Sequence, residues 1–212
     1  MPISAAGCGT HSAESPDRAA MQIAMTRFLA AAGLADVAAS DAAERSAEAW
    51  SDALLGGYQT DPATILEGTF DEVDGDLVTL SSIPFVSVCS HHLLPFFGQA
   101  HVAYLPGEKL LGLGRLEELV YCLSRRLQLQ ERLGDQIATH LANELGAQGA
   151  ACVLEAEHLC VFARGKRQRG PVARTTAFAG DLRDDRDFRQ QSLALLGSFA
   201  ADTTGTEEQG ND

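Results

Sequence analysis

Cys89 and His92 stand three residues apart in the stretch SVCSHHLLPFFG, residues 87–98, with His91 between them. A thiolate and an imidazole at that spacing can reach one ion from a turn at a strand end. The pair alone is a weak signal, but a second half lies in EAEHLCVF, residues 155–162. If that segment is a strand, His158 and Cys160 are two apart and project from one face. Cys89, His92 and Cys160 then form a candidate metal-ligand set, with His91 and His158 beside it. Mixed sulfur and nitrogen donors suit zinc, and three protein ligands leave a fourth position for water, the arrangement of a catalytic site. The spare histidines titrate in the range needed to shuttle protons. A packing reading stands beside this one, because cysteine is among the most buried residue types: Cys160 in LCVF could be core and His92 a satisfied buried histidine. Cys122 and Cys152 sit on apolar faces and read as packing residues, while His11, His101 and His140 show no partner pattern. Gln130 and Glu131 open a helical segment and place an amide beside a carboxylate. That pair suits the N–H edge of a guanine, or else belongs to a solvated helix face.

The elements that must position these groups follow from periodicity. Met21, Met25, Phe28 and Leu29 recur at helical spacing over residues 18–34, with Gly33 as a stop, and a second helix is expected over 41–55, closed by Gly56 and Gly57. Between residues 64 and 104 the runs ILEGTFDEV, LVTLSS, IPFVSV and QAHVAYL read as strands. Residues 115–147 carry Leu116, Leu119, Val120, Leu123 and Leu127, then Leu133, Ile137, Leu141 and Leu145. This pattern predicts two helices broken near Gln128. Strands return in AACVLEAEHLCVFAR and ARTTAFAG, before an amphipathic stretch at RDFRQQSLALL. The order ββ, αα, ββ behind a helical lead gives an α+β class with an antiparallel sheet. The expected organisation is a disordered segment 1–17, a helical section 18–57, a catalytic domain 58–198 and a disordered acidic tail 199–212.

Composition narrows the function classes. With 16 Lys+Arg against 29 Asp+Glu in 212 residues, the net charge of −13 repels a nucleic-acid backbone over most of the surface. No run of about 18 apolar residues could span a bilayer and the N-terminus lacks a signal-peptide pattern, so no membrane partner is expected and the cytoplasm is the expected location. Five cysteines without framework spacing argue against a disulfide scaffold.

The motifs CSHHLLPFFGQAHVAYLP, LLGLGRL, YCLSRRLQLQERLGDQIA and EAEHLCVFARG together resemble the GTP cyclohydrolase I family in order and spacing. These are the zinc enzymes that open the pterin and folate pathway. The resemblance implies the tunnelling fold, in which ββααββ units pair into an oligomeric barrel, here preceded by N-terminal helices. It implies a homodecamer or related homo-oligomer with active sites between subunits. It implies Zn2+ on Cys89, His92 and Cys160, catalytic roles for His91 and His158, guanine binding by Glu131 with Gln130, and phosphate contacts from Arg115 and Arg164. The implied reaction is hydrolysis at C8 of the purine of GTP, with release of formate and closure to 7,8-dihydroneopterin triphosphate.

This chain departs from the family pattern at Ser90, at Gly114 and Arg115, and at Glu118 and Glu48, where basic residues are expected. Two reversed charges near a triphosphate weaken its binding, which keeps open a divergent cyclohydrolase acting on a related guanine nucleotide. RGKRQRGPVAR, residues 164–174, gathers five basic residues and reads either as a relocated phosphate clamp or as a solvated turn. A non-catalytic zinc-containing oligomer that binds a purine or pterin is the reading from outside the enzymes. Mere binding does not require His91 and His158.

Overall fold

The computed structural model describes residues 16–38, 40–71, 75–163 and 171–202, with side chains as far as Gly197. The two termini expected to be disordered fall mainly outside the described residues, at 1–15 and 203–212. The chain divides into two units, Met1–Gln59 and Thr60–Asp212.

In the first unit, α1 (Arg18–Ala31) begins at Asp17, whose carboxylate accepts the Ala20 N–H at 3.0 Å, a standard N-cap. It ends just before Gly33, whose φ of +79° suits the residue that follows a helix. The short α2 (Ala35–Ala38) leads to α3 (Ala42–Glu48). The single helix expected over 41–55 is not continuous: it widens into a π-helical segment, Ala49–Leu54, and the glycine pair opens a 3-10 turn, Gly56–Gln59. The Ser51 hydroxyl donates to the Glu48 carbonyl at 3.2 Å at the start of the widened segment, and a serine competing for a backbone acceptor disfavours regular α winding there.

The second unit runs α4 (Pro62–Ile65), β1 (Thr69–Asp71), β2 (Val78–Cys89), β3 (Pro95–Leu105), β4 (Lys109–Leu111), α5 (Leu113–Ser124), β5 (Leu127–Gln128), α6 (Gln130–Asn143), β6 (Gly149–His158), α7 (Leu159–Phe162), β7 (Val172–Gly180) and α8 (Arg186–Asp202). The main sheet has the order β5-β2-β3-β6-β7, antiparallel except for the short β5, which lies parallel to β2. Strands β1 and β4 form a separate ribbon. The α+β class therefore stands.

The sheet is covered on both faces, and the alternation of β3 and β6 assigns them. Ala100, Val102 and Tyr104 of β3, with Cys152 and Leu154 of β6, join Leu116, Leu119 and Leu123 of α5 and Leu133, Ile137 and Leu141 of α6 in the larger core. The residues of opposite parity, Ala103, Ala151 and Val153, join Phe178 of β7 and Phe188 and Leu196 of α8. A strand covered on both sides needs no polar alternation, which is why residues 100–104 are buried without a break.

Three local expectations are corrected. LVTLSS and IPFVSV are one strand, β2, whose pairing with β3 shifts register between Leu80 and Ile83, where Ser82 takes a φ of +60°. Among the described residues of ILEGTFDEV, only Thr69–Asp71 is a strand, because Asp61 caps a helical turn over Pro62–Ile65 and accepts the Ala63 N–H. The segment EAEHLCVFAR leaves the sheet at His158 and winds into α7, so Cys160 does not share a strand face with His158.

Candidate active site

Four chain segments meet at one end of the sheet. The β2–β3 connection is closed by the Cys89 N–H donating to the Leu94 carbonyl and the Leu93 N–H donating to the Cys89 carbonyl, both at 2.9 Å. Leu93 turns the chain with a φ of +53°. This tight loop brings Cys89 and His92 together, with Cys89 Sγ 3.9 Å from His92 Nδ1. The Ser90 N–H donates to the Gln128 carbonyl at 2.9 Å and ties the loop to β5, which feeds directly into α6. Gln130 and Glu131 thereby stand beside the loop on the first turn of α6. The N-terminal end of a helix favours a carboxylate such as that of Glu131. From the other side β3 and β6 pair Phe96 with His158 in register, and α7 turns Cys160 toward Cys89.

The ligand atoms of Cys89, His92 and Cys160 all lie within 4.8 Å of one another. Zinc with Zn–S near 2.3 Å and Zn–N near 2.0–2.1 Å has ligand-to-ligand edges of roughly 3.5–3.8 Å in a tetrahedron. The Cys89–His92 separation of 3.9 Å is close to that range, and the whole set lies within about an ångström of it. Two thiolates and one imidazole are a zinc-type donor set, and three ligands leave one position open. The residues present fit the ion.

Around this set lies a cavity of about 220 Å³ lined by Cys89, His91, His92, His158 and Glu131 among others. His91 is exposed and meets the His92 ring edge-on, with centroids 6.2 Å apart. The His158 ring is stacked on Phe96, centroids 4.7 Å apart and planes 1° apart. Burial pushes the His158 imidazole below its ordinary range, and the Glu131 carboxylate opposes that shift.

The expected residues divide into four groups. Cys89, His91, His92, Glu131, His158 and Cys160 come together at the cavity. Gln130 also lines it, but its amide is turned into the chain: Nε2 donates to the Leu154 and Ala173 carbonyls, both at 3.0 Å, and Oε1 meets His158 Nε2 at 2.7 Å. Arg115 is not among the lining residues; it stands on the first turns of α5, bound to Glu118 at 2.7 Å with both side chains about half exposed. Arg164, with the basic run 164–170, lies outside the described residues. Sequence reasoning missed Phe96, the platform under His158, which carries no chemical signal, and Gln128. The buried Gln128 side chain bonds the Leu123 carbonyl, Gln136 and Arg132, and so holds the β5–α6 joint.

An α+β fold that gathers a Cys-His-Cys ligand set, two further histidines and a helix-borne carboxylate around one cavity defines a candidate metal-dependent hydrolase. The comparisons sharpen that class. The GTP cyclohydrolase I family profile matches residues 21–197, and the chain belongs to that hydrolase family. GTP cyclohydrolase 1 of Streptococcus thermophilus (strain CNRZ 1066) is 41% identical over 160 residues, 75% of this chain and 85% of its own. The enzyme of that name from Corynebacterium glutamicum (strain R) is 44% identical over 154 residues, covering 72% and 78%. That of Campylobacter lari is 40% identical over 146 residues, covering 68% and 77%. The solved structure of an archaeosine synthase QueF-Like protein in the apo form overlaps 51% of this chain and 97% of its own at 16% identity and a TM-score of 0.42, too loose an overlap to bear on assembly or activity.

Proposed function

We propose that this chain hydrolyses the purine ring of GTP at C8, releases formate and yields 7,8-dihydroneopterin triphosphate. The observation that carries the reading is the convergence of Cys89, His92 and Cys160 with His91, His158 and Glu131 on one cavity, in a chain of this family. Cys89, His92 and Cys160 would hold zinc, which when bound supplies Lewis acidity that makes water a nucleophile near neutral pH. Glu131 accepts two N–H groups of the guanine edge. Adenine lacks that pair and would leave the carboxylate unmatched, so the same residue selects the base. His91 and His158 exchange protons with a purine nitrogen and the ribose oxygen as the ring opens and recloses. The cavity is smaller than the roughly 300–1,000 Å³ of a complete small-molecule pocket, which supports a site completed by a neighbouring subunit in a homodecamer or related oligomer.

A second reading, a substrate with fewer phosphates, draws on the Arg115–Glu118 pair. A guanidinium already bound to a carboxylate has less to offer a triphosphate. Incubating the zinc-loaded protein with GTP, and following formate and a fluorescent pterin after oxidation, tests the main reading. Both products are expected. Neither product with GTP would overturn it, and faster turnover of GDP, GMP or guanosine would favour the second.

A further inference from the structure

The Gln130 amide has a fixed orientation. Its side chain, 2% exposed, leaves the first turn of α6 and reaches between two strands, where Nε2 meets the carbonyls of Leu154 on β6 and Ala173 on β7, each at 3.0 Å. A carbonyl only accepts, and the amide has two N–H donors, so both are used there. Turning the amide over would set its oxygen against two carbonyl oxygens. Oε1 is therefore committed to the side where His158 Nε2 lies 2.7 Å away. An oxygen without hydrogen at that distance requires the proton on Nε2.

We infer that Gln130 is a positioning residue for His158, holding the neutral ring in the Nε2–H tautomer and in one orientation, so that Nδ1 is the nitrogen left with a free lone pair. The second restraint comes from Phe96. It is the cross-strand partner of His158 and lies parallel beneath the ring, allowing sliding in the plane but no tilt. A hydrogen bond in that plane then stops the sliding and the ring flip. The sheet sets the geometry: Leu154 and His158 lie on one strand, and Ala173 pairs with Ala156 between them. One amide thus reads the spacing of β6 and β7 and passes it to the ring. With both donors spent, Gln130 selects no substrate by its N–H groups, and the guanine edge falls to Glu131.

The kinetic part of the test rests on the proposed reaction; the spectroscopic part does not. In the zinc-loaded full chain labelled with 15N-histidine, the His158 resonances are assigned by their loss in His158→Ala. The wild type should show the proton on Nε2, and Gln130→Ala a mixture of tautomers. In turnover, Gln130→Ala should lower kcat by about 10- to 100-fold, the usual effect of removing a group that orients a site histidine. KM for GTP should stay within about threefold, and preference for GTP over inosine triphosphate, which lacks the exocyclic amine, should be unchanged. A proton on Nδ1 in the wild type would overturn the inference whether or not the variant folds. So would a raised KM with kcat kept, or a lost preference for GTP, since either makes Gln130 a substrate contact. A wild type that shows the Nε2–H tautomer but no turnover of GTP would refute the reaction and leave the positioning role standing.

Discussion

At the scale of single residues, the proposed function separates groups that would hold the ion from groups that would move protons, and variants should separate them too. Cys160→Ser, at a buried member of the candidate ligand set on α7, should lower zinc affinity by more than about 100-fold and abolish turnover, as metal content after gel filtration and formate release would record. His158→Ala should keep the zinc and lose about 100- to 10,000-fold in turnover, the range for a general acid–base group. Loss of metal from His158→Ala would make that residue a ligand. Away from the site, His101 is fully buried: Nδ1 accepts the Ser82 N–H at 3.3 Å, and Nε2 has no hydrogen-bond partner among the described residues. Burial lowers its pKa, with Glu155 opposing and Arg174 adding to the shift. The unfolded chain then binds a proton that the folded chain refuses. The stabilisation is complete above about pH 6.5, the unfolded value, and falls away as the pH drops from there through the lowered folded value. Thermal melts of chelator-treated protein between about pH 8 and pH 5 should show a steeper loss of Tm for the wild type than for His101→Leu.

At the scale of elements, the register of β3 against β6 aligns the site, since it places Phe96 under His158. Gly98, two residues further along β3, permits that register: a Cβ there would stand 1.8 Å from the Glu155 carbonyl oxygen and 2.7 Å from Ala156 Cα. Backbone atoms in a paired strand cannot yield as a flexible side chain would. Gly98→Ala should therefore cost about 1–3 kcal/mol or more and lower Tm by several degrees in a melting experiment. Turnover should fall further than stability explains, because parting the strands moves His158 from its platform. The helical pair α5 and α6 was legible because its leucines repeat on one face, as was the break at Gln128. The end of β6 was not legible, because LCVF is as suitable for a strand as for a turn of helix. Its departure from the sheet depends on what lies beyond the strand, and short-range pattern does not record that.

At the scale of the whole molecule, β7 pairs with β6 along one side and has no strand partner on the other among the described residues. Such an edge is a template for another strand unless it is covered. Together with the small cavity, it supports an assembled enzyme. Sedimentation velocity should give a native mass several times the 22.5 kDa of the chain, and activity should fall on dilution into the monomer. A monomer active at all concentrations would refute the shared site. Chelation should remove turnover and leave most of the melting temperature. The candidate ligands sit on a turn and a short helix at the end of the sheet, and the larger core is built mainly from sheet, α5 and α6.

The sequence by itself determined the donor types, the helical periodicities, the α+β class and the acidic charge. Each of these is a property of residue identity or of short-range order, and both are written in the chain. Only the tertiary structure decided that Cys89, His92 and Cys160 converge. The route is a hairpin turn and a turn of helix, not the common strand face that the spacing of His158 and Cys160 suggested. It also decided that Gln130 turns inward to His158. Which partner a polar side chain takes depends on the carbonyls and charges that strand pairing and helix packing bring within about 3 Å of it, and no local pattern encodes those neighbours.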